Sequence, residues 1–210
     1  MKVRQQTGFT LVELMVVVLM MAILVAVGIP AISSFRATAV SSGARGVSNT
    51  LNLARQYAIT HRTDARVVFF YSGTPTSQEV MDKRYRTYGV VARTNSLLMA
   101  WAQVGRWETL PMGAVFGNMV APTGALDTQL RTANNFDYGF GGKSVAYIEF
   151  KSTGVANPRT GNTGTISVYE GVYDKSIRNI HYLPTGDAAT ANRIDITYDN
   201  LVGHIRIVRQ

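Results

Sequence analysis

The chain has 210 residues, no cysteine and a formal charge of +8. That length suggests one domain with an appendage, and the missing thiols exclude disulfide stapling, thiolate nucleophiles and cysteine-ligated metals. The cationic excess favours acidic partners such as nucleic acid or anionic surfaces as a tendency, with an ordinary basic surface as the plain alternative.

A short basic leader, 1–8, comes first and carries Lys2 and Arg4. The sequence Gly8-Phe9-Thr10-Leu11-Val12-Glu13 follows, and from Leu14 to Ile32 there is no charged residue. As a helix that apolar run spans roughly 28 Å, enough to cross a hydrocarbon core. Three readings compete. A cleaved secretory signal would use small residues after the run, such as Ala37-Thr38-Ala39. A plain membrane anchor would be oriented by Lys2 and Arg4 on the cytoplasmic side. Neither accounts for Glu13, because a carboxylate in a membrane helix costs ~2.5–3.5 kcal/mol at full depth. The third reading gives Glu13 a partner.

Gly8-Phe9-Thr10-Leu11-Val12-Glu13-Leu14 resembles the processing motif of type IV prepilins and type II secretion pseudopilins. The resemblance implies cleavage after Gly8 by a prepilin peptidase/methyltransferase and N-methylation of Phe9 as the new terminus. Glu13 then pairs with the terminal amine of a neighbouring subunit during assembly. The physics is compatible: a buried carboxylate is tolerated when an opposite charge meets it. Gly28 and Pro30 sit where that family breaks its helix inside filaments, and proline's missing donor predicts a local kink or melt there.

Beyond Ile32 the helical pattern continues in amphipathic form. Val40, Val47, Leu51, Ala54 and Ala58 share one helical face, with Arg36, Arg45, Arg55 and Arg62 largely off it. Gly43 and Gly46 weaken the helix without ending it. The pattern predicts one long helix from about Thr10 to about Thr60.

Strands follow. Arg66 to Tyr71 is β-branched and aromatic, and Arg84 to Val91 is a second strand. Leu97 to Ala102 pairs with the latter across Arg93-Thr94-Asn95-Ser96. Arg106 to Pro111 and Gly113 to Met119 read as short strand pieces. Ala121 to Gly142 reads mostly as a long loop. Val145 to Phe150, Thr165 to Tyr173 and Ile177 to Tyr182 are further strands. Arg193 to Tyr198 alternates, with Ile194, Ile196 and Tyr198 on one face. His204 to Arg209 closes the chain, with Ile205 and Ile207 inward and His204 and Arg206 outward.

Leu53-Ala54-Arg55 and Ala58, Val67-Val68-Phe69, Trp107-Glu108-x-Leu110, Phe150-x-x-x-Gly154 and Gly203-x-Ile205-Arg206 together resemble the minor pseudopilins of the GspH, FimT and FimU group. That resemblance spans nearly the whole chain. It implies an α+β, pilin-like fold: a long N-terminal helix, half membrane-embedded and half amphipathic, packed on a C-terminal antiparallel β domain. The expected divisions are a cleaved leader (1–8), a transmembrane or filament-core helix (9–32), an amphipathic helix (33–62) and a globular GspH/FimT-like domain (63–210).

Catalysis is not expected. His61, His181 and His204 stand in no metal-binding or triad-like spacing, so no catalytic, cofactor or metal residues are assigned. Gly142-Lys143-Ser144 fails as a phosphate loop because Asp137 occupies the leading glycine position and a strand follows. Nucleic-acid binding has two candidate stretches. Some FimT-branch members bind DNA through a basic tail with a Gly-Arg-x-Arg pattern. Here the matching stretch is Gly203-His204-Ile205-Arg206 with Arg209, and His204 replaces the first arginine. Lys83-Arg84-Tyr85-Arg86-Thr87-Tyr88 interleaves cations with rings, so phosphates and stacked bases could both be met. The bland reading is a solvated strand with half-buried tyrosines.

The function expected is a minor type IV pilin, FimT/FimU-like, incorporated into the pilus or its tip or priming complex and supporting assembly. The alternatives are a DNA-binding minor pilin acting in DNA uptake and a GspH-like pseudopilin of type II secretion. Implied partners are the prepilin peptidase/methyltransferase, other major and minor pilins or pseudopilins, the inner membrane and, on the second reading, DNA. The implied location is the bacterial inner membrane, single-pass, with the globular domain in the periplasm, and later the extracellular filament.

Overall fold

The computed structural model describes residues 10–70, 85–95, 100–117, 131–136, 143–157, 163–174, 179–183, 192–199 and 203–209. Among these residues one helix, α1 (Leu11–His61), precedes eleven strands: β1 (Ala65–Phe70), β2 (Thr87–Asn95), β3 (Ala100–Thr109), β4 (Ala114–Phe116), β5 (Arg131–Phe136), β6 (Lys143–Phe150), β7 (Ala156–Asn157), β8 (Thr163–Asp174), β9 (Asn179–Tyr182), β10 (Arg193–Asp199) and β11 (Ile205–Arg209). The chain divides into two compact units, Met1–Arg36 and Ala37–Gln210.

In the second unit the strands form two antiparallel sheets. The first has the order β3-β2-β1-β6-β5, with β7 also on β6. The second has the order β11-β10-β8-β4, with β9 also on β8. The expected α+β architecture, a long helix followed by an antiparallel β domain, is the one observed. The predicted helical stripe is its spine: Val40, Val47, Leu51, Ala54 and Ala58 are wholly buried, and Ala44 joins them. They share one core with Val67 and Phe69 of β1, Ile166 and Val168 of β8, and Ile194, Ile196 and Tyr198 of β10. The alternation in β10 therefore holds. Its opposite face also buries a polar residue, Asp195, whose carboxylate accepts the Ser167 hydroxyl at 2.7 Å. Hydrogen bonding offsets the cost of burying such a group.

β1 is buried on both faces. Val68 and Phe70 point away from α1 and join Val91, Val145 and Tyr147 in a second cluster, with Trp101 and Trp107 half-buried against it. A continuous apolar strand of this kind is expected when both faces are covered.

Two expectations change, at β5 and at Ile207. Part of the segment read as loop, Arg131–Phe136, is β5 and pairs with β6 at Arg131↔Tyr147 through Phe136↔Lys143. Its composition (Arg-Thr-Ala-Asn-Asn-Phe) has little β preference, so the pairing edge of β6 decides its state. Helix α1 is continuous through Gly28 and Pro30 in the single chain; one proline removes a single backbone bond, and a long helix survives that loss. Ile207 is not inward as expected but 41 % exposed, because β11 is an edge strand, while Ile205 packs against the core.

Candidate assembly motif and the residues that seat the helix

Thr10 and Glu13 close the amino end of α1 on each other. The Thr10 N–H and hydroxyl both donate to Glu13 Oε2, at 2.8 and 2.9 Å, and the Glu13 N–H donates to Thr10 Oγ1 at 3.3 Å. The Leu14 N–H donates to the Thr10 carbonyl at 3.2 Å, so Thr10 is the N-cap and Glu13 the third helical residue. This is a reciprocal capping box, satisfying donors that a helix start otherwise leaves open. Its signal, Thr-x-x-Glu before an apolar run, stands in the sequence, but a reading centred on the charge of Glu13 misses the part played by Thr10. Gly8 and Phe9 lie outside the described residues, and the side chains of Gly28 and Pro30 are likewise not described.

Past the cap the first turns of the helix carry exposed apolar side chains. Leu11, Val12, Leu14 to Met21 and Ile23 to Val25 are 44–77 % exposed. Among the described residues, no helix is long and apolar enough to cross a membrane. The described side chains of the run end at Ala26, whereas the uncharged sequence continues to Ile32.

A family model of the prokaryotic N-terminal methylation motif matches residues 3–29. The amino terminus is of the prepilin type. The matched span contains Gly8, Phe9, Thr10, Glu13 and most of the apolar run. Among solved structures, the chain is similar to the minor pseudopilin EpsH from the Type 2 Secretion System of Vibrio cholerae, at 13 % identity over 81 % of this chain and 96 % of that one, with a TM-score of 0.44. No curated protein matches the chain.

The remaining residues that carry the resemblance converge on the second half of the helix. Arg55 Nε donates to the Gly154 carbonyl at 3.1 Å. Gly154 and Gly203 both have φ in the left-handed region, at 82° and 63°. A Cβ on Gly203 would collide with the Gly154 carbonyl and stand 2.7 Å from Arg55 Nε. So Leu53-Ala54-Arg55, Phe150-x-x-x-Gly154 and the terminal glycine form one contact. Trp107-Glu108-x-Leu110 forms another. Trp107 covers Gly89, whose Cβ would enter the indole ring. Glu108 accepts the Thr50 hydroxyl at 3.2 Å and pairs across strands with Tyr88. Leu110 lies 3.0 Å from where a Gly43 Cβ would stand, and the Tyr88 hydroxyl lies 2.7 Å from that of Gly46. Gly43 and Gly46 thus let the sheet approach the helix closely. Burial, with Glu108 beside it, raises the Tyr88 pKa well above the tyrosine range.

The described candidate DNA residues, Arg86, His204 and Arg206, stand at different sheets. Lys83 and Arg84 lie outside the described residues. Arg86 is half-buried, and its Nη2 donates to the Leu110 carbonyl at 2.8 Å, so it holds the Trp107–Leu110 segment. Tyr85 and Tyr88 are in the core and present no face to a base. His204 and Arg206 are exposed near and on β11, in the other sheet, and the Arg209 side chain is not described.

An ion network crosses the outer face of the first sheet. Arg66 bonds Glu149 at 2.6 Å, Lys151 bonds Glu149 and also Asp64 at 3.2 Å, and Arg93 reaches Asp64 at 3.5 Å. The Arg66 guanidinium sits 3.8 Å from the Trp101 ring centre and 4.2 Å from that of Tyr147. Burial alone would raise the Glu149 pKa, but hydrogen bonds from Lys151 and Arg66 outweigh it and hold the carboxyl below its ordinary range. Burial likewise opposes the Lys151 charge, and bonds to Glu149 and Asp64 overcome it and raise its pKa.

Proposed function

We propose that this chain is a minor type IV pilin of the FimT/FimU kind, with a structural rather than catalytic role in pilus assembly. In this reading it is cut between Gly8 and Phe9 by the peptidase, N-methylated at Phe9 and held single-pass in the bacterial inner membrane with its domain in the periplasm. It then joins the pilus or its tip or priming complex. The observation that carries the reading is the helix whose apolar side chains are exposed from Leu11 to Val25, beginning at a capped Glu13. Such a helix is built to be covered by lipid first and by like helices afterwards, and Glu13 exchanges its own cap for a neighbour's terminal amine. The test is the Glu13→Ala variant, followed in membrane and sheared-filament fractions. The expected outcome is normal processing with impaired incorporation. Wild-type incorporation would sink the pairing role.

One observation favours the DNA-receptor form of this reading. Among the described residues of the domain the carboxylates are buried or half-buried, whereas Arg45, Arg62, Arg106 and Arg206 are exposed. A cationic surface of this kind attracts phosphate. Fluorescence anisotropy with labelled DNA should show salt-sensitive binding that weakens in Arg206→Gln. Absence of binding at low salt rejects the receptor form and leaves the structural role in place.

A further inference from the structure

Contacts with the sheets arrange the domain along α1. Arg55 meets Gly154 and Gly203, Thr50 meets Glu108, Gly46 meets Tyr88, and Gly43 meets Leu110, Pro111 and Val168. Helix numbers fall along this series, so the segment from Glu108 to Pro111 runs toward the end of the domain at which α1 enters it. β8 runs the same way. Its first residue, Thr163, pairs with Asp199 near Gly203, and its middle residue Val168 lies beside Gly43.

Beyond Pro111 and Val168 lie Met112 and Val172, joined by the Gly171 N–H donating to the Gly113 carbonyl at 2.9 Å. Gly113 has φ 90°, the left-handed backbone of a tight turn, which leaves Met112 at the tip. Met112 is 86 % exposed and Val172 is 52 % exposed. Leu110, two residues earlier, is fully buried. A long apolar side chain held out on a fixed turn, beside a second exposed apolar residue, needs a reason that core packing does not supply.

We propose that the Pro111–Gly113 turn, with Val172, rests in the interfacial layer of the bilayer while the chain is still membrane-held. The inference relies on the reading that the apolar run is embedded. Three observations select lipid as the occupant. Only 33–36 separate Ile32, the last residue of the run, from Ala37, the first of the domain unit, so this end of the domain follows the bilayer directly in the chain. The exposed residues at the tip are flexible or branched aliphatics, which enter the headgroup–acyl boundary readily. The described carboxylates at this end, Glu170 and Asp174, are half-buried, whereas Arg45 on the helix beside Gly43 is exposed and is attracted by an anionic surface. Resting there restricts the domain's swing and holds one fixed face of it toward incoming subunits.

The full chain has no cysteine, so single labels are clean. A fluorophore is placed at Val172→Cys, at His204→Cys near the far end, and at Val17→Cys within the run. Each labelled chain is reconstituted in nanodiscs of phosphatidylcholine and phosphatidylglycerol containing a headgroup-region quencher. The expected result is strong quenching at 172, little at 204, and loss of the 172 signal when Met112→Asp is added. That substitution, at a site this exposed, leaves the fold intact while lowering the docked-to-free ratio roughly tenfold. Equal quenching at 172 and 204, or no effect of Met112→Asp, overturns the inference while quenching at 17 shows the run embedded. Failure of quenching at 17 overturns the membrane-held reading itself, and with it the inference.

Discussion

Arg55 and Gly154 are joined across 99 residues by one hydrogen bond, from the guanidinium Nε to the backbone carbonyl at 3.1 Å. Gly203 closes over that bond in a backbone conformation only glycine adopts easily. Gly203→Ala should therefore destabilise the domain by about 1–3 kcal/mol, through strain and collision with the Gly154 carbonyl. Arg55→Ala should cost about 1–3 kcal/mol by leaving that carbonyl without this donor. Urea unfolding of each single variant and of the pair provides the check. Because both act on one contact, their costs should sum to more than the double variant shows.

Gly46 and Tyr88 form a second test. Alanine at an exposed helical glycine gains about 0.8–1 kcal/mol in propensity. Here the new Cβ would stand 2.7 Å from the Tyr88 hydroxyl, on a ring fixed in the core. Gly46→Ala should thus destabilise the native chain. In a Tyr88→Phe background, where the hydroxyl is gone, the same change should become neutral or stabilising. Thermal unfolding reads the reversal, and a cost unchanged between backgrounds would reject the close-approach role.

Acid and alkali should act on Glu149 and Lys151 in opposite directions. The folded-state pKa of Glu149 lies below its ordinary 4.5, so its contribution is present above that value and is lost as pH falls through the lowered one. Lys151 is raised above 10.5, so its contribution is present below 10.5 and is lost as pH rises through the raised value. Glu149→Gln should flatten the acid limb of the stability curve below about pH 4.5. Denaturant midpoints measured between neutral pH and the acid limb decide this.

Helix α1 stops at Arg62, which has φ 51°. The Thr63 N–H donates to the Ala58 carbonyl at 3.1 Å and the Arg62 N–H to the Ile59 carbonyl at 3.3 Å, the double bond of a Schellman ending. An L side chain pays about 1–2 kcal/mol in this conformation, and glycine does not. Arg62→Gly should raise the domain's melting temperature despite losing a charged side chain. Arg62→Val, branched at Cβ, should lower it.

Much of the molecule was readable in the chain because it follows from local periodicity and chemistry. The helix from Thr10 onward, its buried stripe, the alternation at Ile194, Ile196 and Tyr198, and the motif at Gly8, Phe9 and Glu13 each depend on residues within one element. What could not be read depends on which elements meet. Arg131–Phe136 is a strand because β6 offers it an edge, and Tyr85 and Tyr88 are core residues because α1 and β8 lie over them. Periodicity marks a face but does not say what covers it.

The sequence by itself determined that this chain begins with a prepilin-type motif, continues as a long helix and ends as a β domain, since leader charge, apolar length and strand alternation are properties of neighbouring residues. Only the tertiary structure decided that Arg55, Gly154 and Gly203 are one contact, that Gly43 and Gly46 are seats for Leu110 and Tyr88, and that Met112 stands exposed at the end of the domain where the helix enters. Those residues lie far apart along the chain, and distance in sequence carries no record of which side chains close-packing and hydrogen bonding will bring together.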